Sequence, residues 1–425
     1  MLDENTTAEA APNGAVSAGA PAAVPAQITT TLADDEEPHR GDAPSRPPLQ
    51  AMMSGDGPSK RTMPTDFSIA LRANAGTDTL RAERARGGRR QSMRGFEDTY
   101  TDIVDYIVRI TDRIWEYQDV GYIYDTYAPA CMVFDDRGAT IGVERIVTGT
   151  INMINAFPDA THWADDVIWA GNDEEGFVTS HRYVGTAHHL GAWRYGPATG
   201  RKVNLWGIAN CVVRENEIYE EWVLYNMCAR FLQLGIDVKW AAREYGNEVL
   251  GVVPDRLIPE IERLSGGRHP EYYPDSTADG FDVEHFVRKL WHDLYNRRDF
   301  SAVDRSYTRT VRWHGTSDRV GYGRADVRGQ ALNLLATFPD LGMQVDEVYY
   351  MGNDAEGYRV SVRWTALGTH RGYALYGAPT GRRVHIWGIS QLYVNDARIT
   401  EEWSCFNEFD VLAQLLADEP RAMIS

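Results

Sequence analysis

Between residues 96 and 236 the spacing of apolar positions changes part-way along the chain. Ile103, Ile107, Ile110 and Ile114 recur at steps of four, three and four, which places one apolar stripe on a helix. A second helix is expected over 142–156, stopped at Phe157-Pro158-Asp159, where proline removes a backbone donor. Beyond it the period falls to two. Phe177 to Val184, residues 203–213 and residues 218–226 read as strands, and 172–176 and 214–217 as hairpin loops between strands. A short closing helix carries Phe231, Leu232 and Leu234. Helices first and antiparallel strands afterwards predict an α+β domain, a curved antiparallel sheet with helices packed on its concave face.

The pattern then repeats. Val283, Val287, Leu290 and Leu294 form a second helical stripe, and 323–337 a second following helix. Phe338-Pro339-Asp340, Gly352-Asn353-Asp354, Trp387-Gly388-Ile389 and Glu401-Glu402-Trp403 each follow their earlier counterparts by 181 residues. A shift held constant across so many landmarks means a duplicated domain. The expected organisation is a first domain over 96–236, a connector over 237–280 with a helix from Lys239 to Leu250, and a second domain over 281–418. Residues 1–95, rich in Ala, Pro, Gly, Ser and Arg, contain none of the twelve tryptophans and are expected to be disordered.

Composition narrows the partners. A net charge of −18 would repel a phosphate backbone, so no nucleic acid is expected. The basic stretch from Arg81 to Arg94 lies outside the repeats and reads as a solvated arm. No run of 18 apolar residues occurs, so no membrane helix is expected. The first residues carry neither a basic region nor an apolar core, so no signal peptide is expected. Cys131, Cys211, Cys228 and Cys405 show neither metal nor disulfide spacing, which fits a reducing cytoplasm.

Each copy resembles the SnoaL-like polyketide cyclases, within the NTF2-like superfamily. The matching text is Ala156-Phe157-Pro158-Asp159, Gly185-Thr186, Gly196 to Arg201 and Ile218 to Trp222 in copy one. In copy two it is Thr337 to Asp340, Gly368-Thr369-His370, Pro379 to Arg382 and Ile399 to Trp403. The resemblance covers about 280 of the 425 residues and implies two tandem cone-shaped α+β barrels. It implies no metal and no cofactor. Activity transfers less directly, because one fold serves many reactions. In the cyclases an acid/base aspartate directly follows the tryptophan of the last strand; here Val223 and Ser404 stand there. The usual cyclase chemistry is therefore not expected from that position in either copy.

Candidate chemistry comes from the last strand and from differences between the copies. One glutamate of each Glu-Glu pair must face the cavity, since successive strand residues point to opposite faces. The resemblance favours Glu221 and Glu402. His181 stands where copy two has Val362, with Tyr183 on the same strand face. An imidazole there titrates near neutrality; a hydrogen-bonded core histidine is the ordinary alternative. His188, His189 and Asp135 add acid/base groups to copy one, which is expected to be the working copy. His314, His370 and His385, with Glu402, keep the reverse assignment open. The expected roles are His181 as base, His188 or His189 as acid or oxyanion partner, and Asp135 or Glu221 orienting an imidazole. A metal set of His181, His188, His189 and Asp135 matches no specific motif. Tyr183, Trp193, Tyr195, Trp206 and Tyr225 are expected to wall a pocket for a flat, oxygenated ligand. No phosphate-binding or nucleophile-elbow motif occurs.

These features predict a cofactor-independent acid/base enzyme, an isomerase, cyclase or carbon–carbon or carbon–oxygen lyase, acting on a hydrophobic aromatic or polycyclic small molecule. The alternative is a non-catalytic module that binds a small ligand or a partner protein. The two repeats are expected to pair within one chain as a pseudo-dimer, with homo-oligomers as a further option.

Overall fold

The structure, a computed structural model, describes residues 61–71, 88–248, 255–265 and 273–420. The first domain opens with helix α1 (Ile103–Thr111), capped by Asp102, whose carboxylate accepts from the Asp105 amide at 2.9 Å. The helix widens into a π-turn over Asp112–Glu116. Strands β1 (Tyr127–Asp135) and β2 (Gly138–Ile141) follow, then helix α2 (Val143–Ala156). Four longer strands complete the domain: β3 (Thr161–Asn172), β4 (Gly176–His188), β5 (Lys202–Arg214) and β6 (Glu217–Leu224). Helix α3 (Met227–Leu234) closes it.

The sheet order is β2-β1-β6-β5-β4-β3. It is not wholly antiparallel, as the strand pattern suggested: β1 joins β6 in parallel, with Val133 opposite Glu221. That pairing connects residues about ninety positions apart, so no local turn signal announces it. The second domain repeats the plan with β7 (Tyr307–Gly315), β8 (Arg319–Tyr322), β9 (Gly342–Asn353), β10 (Gly357–Thr369), β11 (Arg383–Asn395) and β12 (Arg398–Phe406), in the order β8-β7-β12-β11-β10-β9.

Between the domains, α4 (Val238–Glu248) lies where a helix was expected; Leu250, its expected end, lies outside the described residues. A further helix, α5 (Ile258–Ser265), was not foreseen. It carries a charge network between the domains. Glu260 accepts from Arg363 at 2.9 Å and from Arg256 at 3.0 Å, and Arg256 reaches Glu220 at 3.1 Å.

The outer faces of the two sheets pack on each other. Arg182 donates to Gln391 at 2.8 Å and to the Tyr393 hydroxyl at 2.9 Å; Gln391 donates to the Ser180 carbonyl at 3.0 Å. A second seam is apolar. Tyr195 and Phe231 of the first domain meet Phe409 of helix α6 (Glu408–Leu416), with ring centroids 5.9 and 5.0 Å apart, and Tyr245 of α4 joins them. These residues belong to one buried cluster with the interior of the second domain.

The expectation of disorder for 1–95 falls largely outside the described residues, but residues 61–71 and 88–95 are packed. The amide of Gly171 donates to the Thr62 carbonyl at 2.8 Å, and that of Gly352 to the Pro64 carbonyl at 3.0 Å. This short segment thus binds the end of β3 and the end of β9 at once. Leu71 and Met93 are buried in the first core. Among the described residues no helix is long and apolar enough to cross a membrane. All four cysteines are free and buried.

Candidate active site

Strand alternation fixes which side chains enter the first cone. On β4, His181 and Tyr183 point inward, and Ser180 and Arg182 point to the other domain. On β5, Leu205, Ala209 and Cys211 point inward; on β6 and just beyond it, Glu221, Val223 and Tyr225 do so. The stripe Ile107, Ile110 and Ile114 of α1 and its π-turn forms the opposite wall, with Met153 and Phe157 at the end of α2. Together they line a narrow, mostly apolar cleft that opens to solvent.

Glycine at 207 lets the tyrosine lie across the sheet. A Cβ there would overlap the Tyr183 phenol oxygen and the Leu224 carbonyl oxygen. The Tyr183 ring then sits 5.4 Å from His162 and 6.3 Å from His181, centroid to centroid. Its hydroxyl lies 3.5 Å from a guanidinium nitrogen of Arg230, at the limit of hydrogen bonding.

Burial sets the protonation states. The Glu221 carboxyl is pushed up to about 7 by loss of solvent, opposed by the hydrogen bond it accepts from the Tyr127 hydroxyl at 3.1 Å and raised further by Asp135. Burial pulls the His181 imidazole down to about 4, and His162 to about 3. Both rings are therefore neutral near pH 7. Nε2 of His181 and Nδ1 of His162 are buried without a protein partner.

Asp135 does not enter the deep cleft. It lines an adjoining hollow that shares Trp115, Tyr127, Met153, Glu221 and Tyr225 with it. There Asp135 forms an ion pair with Arg137. Asp136 turns away and accepts from the amides of Tyr225 at 2.5 Å and Met227 at 3.3 Å, anchoring the start of α3. Burial, then the charge of Asp135, raises Asp136 to about 7.

The other expected residues lie outside the cleft. His188 sits at the end of β4 and pairs with Asp159 at 2.7 Å. His189 follows the strand, where Thr199 holds its Nδ1 at 3.2 Å. His370 is held in the same way by Thr380, at 3.2 Å. Both fasten the Gly-Pro-Ala-Thr-Gly-Arg turn and its counterpart, which explains their recurrence. Trp193 packs against Phe157 and His189, and Tyr195 faces Phe231 and Phe409 in the domain seam. Trp206, beside the inward Leu205, must point outward, and it donates to Asp318 at 2.8 Å. His314 stacks on Trp403 with centroids 3.7 Å apart and lies 3.4 Å from Glu401. His385 is buried on β11. Glu402 is inward but fully engaged: it accepts from Tyr307 at 2.7 Å, Trp313 at 3.3 Å and Ser404 at 2.5 Å.

The lining residues that were not among the sequence candidates include Tyr127, His162 and Arg230. Two were detectable by the comparison that exposed His181. Counting on 181 residues, His162 meets Met343 and Arg230 meets Val411. Among the described residues no three His, Cys, Asp or Glu side chains converge to hold a metal.

The SnoaL-like polyketide cyclase family matches residues 105–234 and again 285–415, more than half of the sequence. The chain belongs to that family. Solved structures match about a third of the chain each. A protein from Jannaschia sp. CCS1, provisionally described as a SnoaL-like polyketide cyclase, is 18% identical, with 33% of this chain and 99% of that chain covered and a TM-score of 0.29. For TsrD from Streptomyces laurentii the identity is 20%, the coverage 32% and 98%, and the TM-score 0.28. For AclR from Streptomyces galilaeus, provisionally described as a hydroxylase, the figures are 25%, 31% and 93%, and 0.27. No curated protein matches the chain.

Proposed function

We propose that the first SnoaL-like domain is a cofactor-independent acid/base enzyme that isomerises, cyclises or cleaves a hydrophobic aromatic or polycyclic carbonyl compound. The observation that supports this most is Glu221, a carboxyl group titrating at about 7 in an apolar cleft beside two neutral imidazoles. A base works best when its pKa lies near the working pH. Glu221 meets that condition, and His181, at about 4, is too weak a base to be the primary acceptor. The roles expected from sequence therefore exchange. Glu221 removes a proton from carbon next to the carbonyl group, and the Tyr127 hydroxyl stabilises its ionised form. Neutral His181 and the Tyr183 hydroxyl polarise the carbonyl oxygen, as donors that cost no net charge in the cleft. The proton returns from Glu221 to another carbon or to a leaving oxygen, which completes the reaction without an external cofactor.

The test is a mass-spectrometric screen of the purified full chain against aromatic and polycyclic ketones and β-hydroxy ketones, without added cofactor, in solvent deuterium oxide. Deuterium incorporation or a rearranged product, abolished in Glu221→Gln, is the expected result. Retained ligand with neither exchange nor conversion across the screen would leave a binding module and end the catalytic reading.

A further inference from the structure

Arg230 is a buried charge with poor hydrogen-bond partners. It lies in helix α3, is 5% exposed and lines the cleft. Its hydrogen-bond partners are neutral and distant: the Tyr183 hydroxyl at 3.5 Å and the Met153 sulfur at 3.9 Å. Its Nε is buried without a partner. One face of the guanidinium rests on the Tyr225 ring, 5.4 Å from the centroid. Other buried arginines near the domain contact have carboxylates at hand: Arg182 has Asp165 at 2.7 Å and Arg363 has Glu260 at 2.9 Å. No carboxylate of the described residues stands within ion-pairing distance of Arg230. Asp136 is the acid whose charge it feels, and both Asp136 oxygens are occupied by backbone amides.

A buried guanidinium without a counter-ion is costly to desolvate, so such a group is kept where something else supplies the negative charge. The second domain shows that the fold does not require it, because Val411 occupies the matching helix position in a closed apolar core.

We infer that Arg230 is an anion-binding subsite, and that the ligand of the cleft carries a carboxylate on its aromatic skeleton. The planar fork of arginine pairs with both oxygens of a carboxylate. Tyr225 beneath the guanidinium and the α1 stripe opposite would hold the ring system in place. This inference builds on the reading of the same cleft as the working site, but it concerns binding in the ground state and is tested without turnover.

The probes are 2-naphthoate and its uncharged isostere 2-naphthamide, titrated into the full chain at about pH 6, where Glu221 keeps its proton and an ordinary carboxylic acid has lost its own. Tryptophan fluorescence or calorimetry reads the affinity. Naphthoate is expected to bind about 10- to 100-fold more tightly than the amide, the range of a charged hydrogen-bonded pair. Arg230→Met should erase that preference and leave the amide affinity unchanged; Arg230→Lys should restore part of it. A naphthoate preference in Glu221→Gln equal to that of the parent chain supports the subsite even if no reaction is ever found. Equal affinity for the two probes, binding of neither, or a preference that survives Arg230→Met would overturn the proposal. An unchanged unfolding temperature of Arg230→Lys separates loss of the site from loss of the fold.

Discussion

At one inward strand position the first domain carries Tyr183 and the second carries Trp364, and both lie across a glycine, Gly207 and Gly388, that leaves room for them. Around the tyrosine stand His162, His181, Cys211 and Arg230; around the tryptophan stand Met343, Val362, Leu392 and Val411. Thr111 on the facing helix likewise becomes Trp291. Each exchange in the second domain replaces a polar or smaller group by one that fills apolar space. The indole donates to Ser390 at 3.2 Å, Ser390 contacts Ser404 at 2.7 Å, and Ser404 donates to Glu402, so a closed chain of hydrogen bonds replaces an open site. The same backbone thus carries a cleft lined by polar groups in one copy and apolar side chains at the matching positions in the other. The difference lies in a handful of inward side chains.

The sharpest way to break this comparison is the inward glutamate pair. With a substrate in hand, Glu221→Gln should lower turnover by about 10²–10⁴, the range for losing a positioned acid/base group, and Glu402→Gln should change it by less than about twofold, as a group outside the reacting site does. Equal losses from both variants would make the second cone a second working site. Stability should show the reverse asymmetry. Trp364→Ala opens a cavity in a closed core and is expected to cost about 3–5 kcal/mol in chemical denaturation; Tyr183→Ala, whose ring borders an existing cleft, should cost clearly less.

The pH dependence of stability sharpens the comparison further. Glu221 has a raised folded pKa, so its protonated form favours the folded state and its contribution falls as pH rises from its unfolded value near 4.5 to about 7. His181 has a lowered folded pKa, so its contribution rises with pH between about 4 and 6.5. The two slopes oppose each other over the same window. Glu221→Gln should unmask the histidine slope, making the variant gain stability relative to the parent as pH rises from 5 to 7, by roughly 1 kcal/mol per pH unit at most. Urea titrations at several pH values measure it; parallel curves for the two proteins would contradict the burial of Glu221 in the cleft. The smallest effect is a matched one. Thr199→Val and Thr380→Val each remove the hydroxyl that holds a histidine ring, and each should cost about 0.5–1.5 kcal/mol with turnover unchanged. A selective loss of activity in Thr199→Val would bring His189 back into the site.

Much of the fold was legible because it rests on local periodicity. The Ile103 stripe, the Phe-Pro-Asp stop and the strand alternation over 177–226 each record which face is buried. The parallel closure of β1 on β6 left no such record, because long-range pairing has no local signature. Helix α5 was hidden because it is short: Ile258–Ser265 offers only Ile261 and Leu264 to a buried apolar cluster, too few positions to set a helical period. For the site, the offset between copies found His181, and the Glu-Glu alternation with the family resemblance found Glu221; His162 and Arg230 were missed, although the same offset, applied at every position, would have shown both. Aromatic type alone placed Trp193, Tyr195 and Trp206 in the pocket wrongly, since it cannot say which face of a strand or turn a ring occupies. Knowing that Leu205 faces inward would have turned Trp206 outward at once.

The shared aromatic cluster of Tyr195, Phe231, Tyr245 and Phe409 has a consequence for how this arrangement persists. Once two copies complete each other's interior, removing either one strands apolar rings of its neighbour in water. Doubling of an ancestral domain then behaves as a ratchet: neither half is easily shed, because each has become scaffolding for the other.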